Sequence, residues 1–350
     1  MMTFDRMRAD LAKAYDLQPS PQATKATADR YAHVARVIPP EVWARHAPYI
    51  VVIDQLKRDR NAVILGHNYM PPHIFHGVSD VVGDSLQLAI KATEVRADVI
   101  VQAGVHFMAE TSKILNPAKT VLIPDLGAGC SLAESITPAG VEQMRARYPG
   151  AQVVSYVNTS AAVKAASDVC CTSANAAQIV AAMPGDTVIM TPDKYLAQNV
   201  ARQVPGKRVV WWDGACMVHE QFTAEQVREA RDCLPGVMVI AHPECPPEVL
   251  AEADFSGSTS AMMEIVRSRR PERVMLVTEC SMAANMASDL PEVEFAGSCI
   301  LCPHMQKITL ENILWALHTM THEVTVAPDV AEPARRAVQR MIDLSRQAAR

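Results

Sequence analysis

The sequence predicts an α/β protein of three similar αβα units with parallel sheets, arranged with pseudo-threefold symmetry around a central site. Three observations carry this. Short apolar runs rich in Val and Ile alternate with amphipathic stretches, the pattern of buried parallel strands covered by helices on both faces. The same order of elements recurs three times along the chain. Cysteines at 130, 216 and 302 close the recurrences, 86 residues apart both times.

Within each recurrence a first apolar run ends at a polar cluster: Ala62–Met70 (AVILGHNYM), Val153–Ser160 (VVSYVNTS) and Val237–Glu244 (VMVIAHPE). A short segment that reads as the opening of a helix follows, at Ser79–Ser85, Ser167–Ser173 and Ala253–Thr259. In each, an aspartate (Asp80, Asp168, Asp254) stands five residues before a hydroxyl residue (Ser85, Ser173, Thr259). Third runs occur at Val99–Val105, Thr187–Thr191 and Val274–Thr278, and fourth runs at Thr120–Pro124, Arg208–Trp212 and Glu292–Phe295. The expected organisation is a polar helical extension over 1–45, units over 46–140, 141–226 and 227–320, and a closing segment over 321–350. Residues 309–319 read as an amphipathic helix. Residues 329–350 read as a closing helix whose basic face is solvated.

Composition bounds the function. A chain of 350 residues with 49% apolar and 20% charged residues is an ordinary globular protein of two or three domains by size. No apolar run is long enough to span a bilayer, and the first 45 residues lack a signal-peptide core. A net charge of −5 offers no basic footprint for nucleic acid. A cytoplasmic protein without membrane or nucleic-acid partners is expected.

Ligands of parallel α/β folds sit beyond the carboxyl ends of the strands, where His67, Tyr69, Tyr156, Asn158, His242 and Glu244 lie. Three units around a pseudo-threefold axis point those ends at one cavity. One thiolate from each unit, Cys130, Cys216 and Cys302, suits a 4Fe–4S cluster with one iron free of cysteine. An open coordination position implies Lewis-acid chemistry on a substrate. The nine cysteines, an odd number, argue against a disulfide framework. Cys170, Cys171, Cys233, Cys245 and Cys280 read as small buried apolar residues. Cys299 and Cys302 form a lone CxxC, with Cys299 a neighbour rather than a ligand. Ser85, Ser173 and Thr259 fall where helices are expected to begin. Each either caps its own helix or joins the free backbone N–H groups there in binding carboxylate or phosphate.

A set of ordered motifs carries a resemblance. HNY at 67–69, GDSL at 83–86, MAETSKIL at 108–115 and PDLGAGCSLA at 124–133 come first. YVNTSAAVKA at 156–165, CTSANA at 171–176, PDKYLAQNV at 192–200 and WWDGACMVH at 211–219 follow. HPEC at 242–245, GSTS at 257–260 and CPHMQKITLENI at 302–313 complete the series. Together they resemble quinolinate synthase over roughly residues 50–320.

The resemblance implies a three-domain αβα fold around one 4Fe–4S cluster. It implies condensation of iminoaspartate with dihydroxyacetone phosphate to quinolinate, phosphate and water in de novo NAD synthesis, with L-aspartate oxidase as the functional partner that supplies iminoaspartate. Cys130, Cys216 and Cys302 match the cluster ligands. His67, Ser85, Tyr156, Asn158, Ser173, His242, Glu244 and Thr259 match substrate-contacting positions. Tyr69 and Glu244 match proton-transfer positions, with His242 beside Glu244 on the same turn. The segment MPPHIFHGVSDVVGD after Tyr69 departs from the family pattern, with Pro-Pro and two extra histidines. The competing reading is another threefold iron–sulfur enzyme, of the reductive dehydratase type, which would lack HNY, YVN and HPE in this order.

Overall fold

The computed structural model describes residues 4–297 and 299–348. Its first unit contains β1 (Ala62–His67), β2 (Val81–Gly83), β3 (Val99–Ala103) and β4 (Thr120–Leu122). The second contains β5 (Gln152–Tyr156), β6 (Val169–Cys171), β7 (Thr187–Thr191) and β8 (Arg208–Trp211). The third contains β9 (Met238–Ala241), β10 (Phe255–Ser256), β11 (Arg273–Val277) and β12 (Glu294–Ala296). Each set forms its own four-stranded parallel sheet, and the strand order is the same three times: second, first, third, fourth.

The apolar runs become the first, third and fourth strands of each sheet. The strands β2, β6 and β10 lie inside the segments read from sequence as helix openings; those of the first and third units do open helices, at Ser85 and Thr259, with the strand just before. At two or three residues they are too short to show a period; pairing with the neighbouring strand makes them strands.

The repeated aspartates set this pairing. The N–H groups of Asp80, Asp168 and Asp254 donate to the carbonyls of Ile64, Val153 and Val239 at 2.9, 3.0 and 2.9 Å. In return each carboxylate Oδ2 accepts from the N–H of that same residue, at 2.8, 2.7 and 2.7 Å. A basic side chain neutralises each one: Lys57 at 2.7 Å, Arg145 at 3.0 Å and Arg231 at 3.0 Å. The clamp pins the edge strand to the first strand. Five residues on, the chain has crossed that strand and reaches the rim with Ser85, Ser173 or Thr259.

The N-terminal helices lie against the first and third units. Trp43, fully buried, donates from Nε1 to Thr27 Oγ1 at 3.0 Å. The helix Pro40–Asp59 runs across residue 45, so the expected end of the extension falls within a helix. The amphipathic helix Leu310–Thr319 packs on it. The closing helix Pro328–Ala348 packs on the second unit, against the helix Ala161–Ala165 and β6. Its basic face is not wholly solvated, because Arg335 and Arg340 donate to the carbonyls of Ile114 and Asp168 at 3.0 and 3.1 Å. Residues 349 and 350 lie outside the described part. Among the described residues no helix is long and apolar enough to cross a membrane.

Candidate active site

All twelve residues singled out from sequence line one cavity: His67, Tyr69, Ser85, Cys130, Tyr156, Asn158, Ser173, Cys216, His242, Glu244, Thr259 and Cys302. Its walls are the carboxyl ends of the strands, as parallel sheets dictate. The chain leaves β4, β8 and β12 and reaches Cys130, Cys216 and Cys302 within eight residues.

The three cysteines share one local structure. Each carbonyl accepts from the N–H four residues on, at 3.0 Å, from Glu134, Glu220 and Gln306. Burial pushes the Cys130 thiol up to about 12 and raises Cys216 and Cys302 as well. Against burial, each sulfur receives the N–H groups two and three residues further along: Leu132 and Ala133, Val218 and His219, His304 and Met305. Cys302 raises the Cys130 thiol and Cys130 that of Cys216, so the sulfurs lie within electrostatic reach of one another.

Three such groups stay protonated unless a cation is bound among them, and backbone N–H donors to sulfur favour the thiolate. The donor set fits an iron–sulfur cluster with three cysteine ligands. Among the described residues the other free thiols are elsewhere: Cys170, Cys171 and Cys245 in the cores, as expected, and Cys233 exposed, contrary to expectation. Cys280, expected as a buried thiol, is instead disulfide-bonded to Cys299. The folded chain brings the loop before Cys302 beside the start of the helix Ser281–Asp289, a closeness that nineteen residues of sequence do not reveal.

Two histidines on matching turns also line the cavity. His67 Nδ1 accepts from the Tyr69 N–H at 3.2 Å, and His242 Nδ1 from the Glu244 N–H at 3.3 Å. Burial pushes their pKa values down to about 4 and about 3. Both rings are therefore neutral at physiological pH, with the proton on Nε2, and act as uncharged hydrogen-bond donors.

A hydrogen-bond chain crosses the cavity wall. Burial raises the Glu244 carboxyl, but His219, His242 and the Tyr156 hydroxyl outweigh it and hold the group below the usual carboxylate range. Glu244 Oε1 accepts from the Tyr156 hydroxyl at 2.5 Å, and Oε2 lies 2.9 Å from His219 Nδ1. A carboxylate there makes His219 Nδ1 the donor, so Nε2 accepts from Thr278 Oγ1 at 2.9 Å. Thr278 in turn accepts from the Tyr69 hydroxyl at 2.5 Å. Burial first, then the Glu244 charge, raises the Tyr69 and Tyr156 phenols and keeps both protonated.

The hydroxyl residues are not plain caps. Asp84 caps the helix that begins at Ser85, and Ser258 the one that begins at Thr259. Ser173 precedes its helix by three residues. Thr259 Oγ1 accepts from Asn68 Nδ2 at 2.9 Å, joining the first and third units at the rim.

Over residues 52–343 the chain matches the family described as Quinolinate synthetase A protein. The chain belongs to this family. It is 58% identical over 332 residues to the quinolinate synthase of Agrobacterium fabrum, covering 95% of this chain and 96% of the relative. Quinolinate synthase 1 of Mesorhizobium japonicum is 60% identical over 317 residues, 91% of this chain and 98% of the relative. The quinolinate synthase of Xylella fastidiosa is 61% identical over 293 residues, 84% and 86% of the two chains. The protein is thus an enzyme of the quinolinate synthase family, and the reductive-dehydratase alternative falls away. The family match reaches residue 343 and takes in most of the closing helix, beyond the reach of the motif resemblance.

Sequence reasoning missed His219, Thr278, Glu279 and Asp84. His219 closes the WWDGACMVH motif, and its place three residues after Cys216 was the available signal. Thr278 and Glu279 directly follow β11, a polar pair at a strand end. Glu279 lines the cavity and accepts from the N–H groups of Ser281 and Cys302 at 2.8 and 3.3 Å, while burial raises it to about 7.

Proposed function

We propose that this family member condenses iminoaspartate with dihydroxyacetone phosphate to quinolinate, phosphate and two waters, in de novo NAD synthesis in the cytoplasm. L-aspartate oxidase is the source of the imine in this reading. The observation that carries it is one cavity lined by a cysteine from each unit, with the chain Glu244–His219–Thr278–Tyr69 running beside Cys216. Residues 46–140, 141–226 and 227–320 act as the three pseudo-threefold units, flanked by 1–45 and 321–350.

Cys130, Cys216 and Cys302 would hold one 4Fe–4S cluster per chain. When bound, a cluster with three protein ligands supplies a Lewis-acidic iron able to polarise a substrate nitrogen or oxygen.

The side chains divide the remaining work. Both substrates are anionic, and the Nε2–H groups of His67 and His242 meet carboxylate or phosphate oxygens without the tight trapping a full positive charge brings. Ser85, Ser173 and Thr259 add hydroxyls at the rim, and Tyr156 and Asn158 orient the bound chain. Val105, Phe107 and Met108 form an apolar wall that limits water around the reactive imine. Glu244 takes the proton next to the imine, and the Tyr69 phenol gives one to the departing oxygen. The His219–Thr278 link couples the two groups, because the imidazole and the hydroxyl each accept on the Tyr69 side and donate on the Glu244 side.

The test is anaerobic purification followed by iron, sulfide and activity measurements. About four iron and four sulfide per chain, with quinolinate formed from the two substrates, supports the reading. Loss of both in each of Cys130→Ala, Cys216→Ala and Cys302→Ala is expected, and retention in Cys170→Ala and Cys233→Ala. Cys216, His219 and Glu244 also bring three ligand atoms within 4.8 Å of one another. One zinc per chain that survives Cys130→Ala but is lost in Cys216→Ala would favour a mononuclear site there and overturn the cluster.

A further inference from the structure

The histidines that set the segment after Tyr69 apart from the family pattern have no part in the cavity. His76 ends the short helix Pro72–Phe75. Beside it stand His33, in the last turn of the helix Ala28–Val34, and Asp289, the last residue of the helix Ser281–Asp289. The ligand atoms of all three lie within 4.8 Å of one another. We propose that His33, His76 and Asp289 form a binding site for a divalent transition cation of the zinc class, which braces the N-terminal extension, the post-Tyr69 segment and the third unit together.

Two imidazoles and a carboxylate are a fitting donor set for such a cation, with a fourth position left to water. His33 Nε2 lies 2.9 Å from Asp289 Oδ1, and the His33 and His76 rings meet edge to face at 4.6 Å. The other oxygen, Oδ2, is held by Arg267 at 2.6 Å, an orienting partner of the kind that fixes ligating carboxylates. A plain ion-pair cluster accounts for His33, Asp289 and Arg267 but not for His76. Its Nε2 is buried with no hydrogen-bond partner, although it faces an acidic neighbour. A cation about 2.0–2.2 Å from each ligand satisfies that nitrogen. The exposed His33 side chain has the freedom to close the remaining distance.

The site sits where a cross-link has an effect. Arg30 already donates to the Gly77 carbonyl at 2.8 Å, and Arg36 to that of Pro291. Asn285, one turn before Asp289, donates to the carbonyls of Asn68 and Met70 at 3.1 and 2.8 Å. A bound cation would tie the same three segments of chain beside the turn that presents Tyr69.

The test titrates zinc chloride by calorimetry into anaerobically purified, cluster-loaded protein, so that the cavity cysteines are already engaged. One equivalent is expected to bind, raising Tm by linkage. His33→Ala, His76→Ala and Asp289→Asn should each weaken binding by more than the ~10–100-fold typical of losing an outer-shell partner, and abolish the zinc-dependent rise in Tm. A crystal soaked in zinc should show an anomalous peak between the three side chains. Equal zinc affinity in wild type and His33→Ala, a surface change that leaves folding intact, overturns the proposal. So does the absence of zinc binding by the wild type at micromolar concentration.

Discussion

Glu244→Gln separates proton transfer from architecture. Glu244 is 3% exposed and accepts two hydrogen bonds, from Tyr156 at 2.5 Å and His219 at 2.9 Å. Glutamine keeps the length and one acceptor oxygen, and the Tyr156 hydroxyl can turn to accept from the amide. Two charge-assisted bonds of ~1.5–3 kcal/mol become neutral ones of ~0.5–1.5 kcal/mol. Against that loss, the desolvation of a buried carboxylate, several kcal/mol per ion, disappears. The two effects oppose each other at similar size, so thermal unfolding should move little. Turnover should not survive. A general base contributes ~10²- to 10⁴-fold, about 3–5 kcal/mol of barrier. Anaerobic quinolinate formation is therefore expected to fall by that factor, with iron and sulfide content and quinolinate binding retained. Near wild-type turnover in a cluster-loaded Glu244→Gln protein would refute the reasoning and reduce Glu244 to a brace for the His242 turn.

Other expectations follow from the same geometry. Ser173→Ala should keep the cluster and weaken quinolinate binding by roughly 10- to 150-fold, the worth of a hydrogen bond to a charged group; unchanged affinity in equilibrium titration removes Ser173 from the binding set. Asp254→Ala should lower stability by about 1–3 kcal/mol, because the N–H of the fully buried Val239 loses its side-chain acceptor; a denaturant melt that does not move refutes the clamp. His73, stacked on His46 at 4.3 Å, should make the protein acid-sensitive. Burial, then His46, pushes its pKa down to about 3, whereas an unfolded histidine titrates near ~6.5. The unfolded chain therefore binds a proton that the native one refuses, so stability is full above about pH 6.5 and falls as pH falls below it. The loss is about 1 kcal/mol by pH 5.5, reduced by the partial exposure of the ring. His73→Gln should flatten that limb of the pH–stability curve, and an unchanged limb rules His73 out as its cause.

The sequence by itself determined the repeat, and with it the location of the site. Strand-forming runs, the Asp-x4-Ser/Thr spacing and the 86-residue interval between cysteines are local or periodic properties that no packing decision can change. Parallel strands place their carboxyl ends together, so His67, Tyr156, His242 and the cysteines were legible as one constellation before any coordinates. Tertiary structure alone decided who completes it. His219 and Thr278 lie 150 and 209 residues from Tyr69, and only the docking of separate sheets brings them into one hydrogen-bond chain. The strands β2, β6 and β10 are too short to announce themselves, and exist because an aspartate clamps them to a neighbour. Cys280 and Cys299 meet because a helix start and a loop are packed side by side. Pattern encodes what each unit is; contacts between distant segments, which carry no period, decide what the units make together.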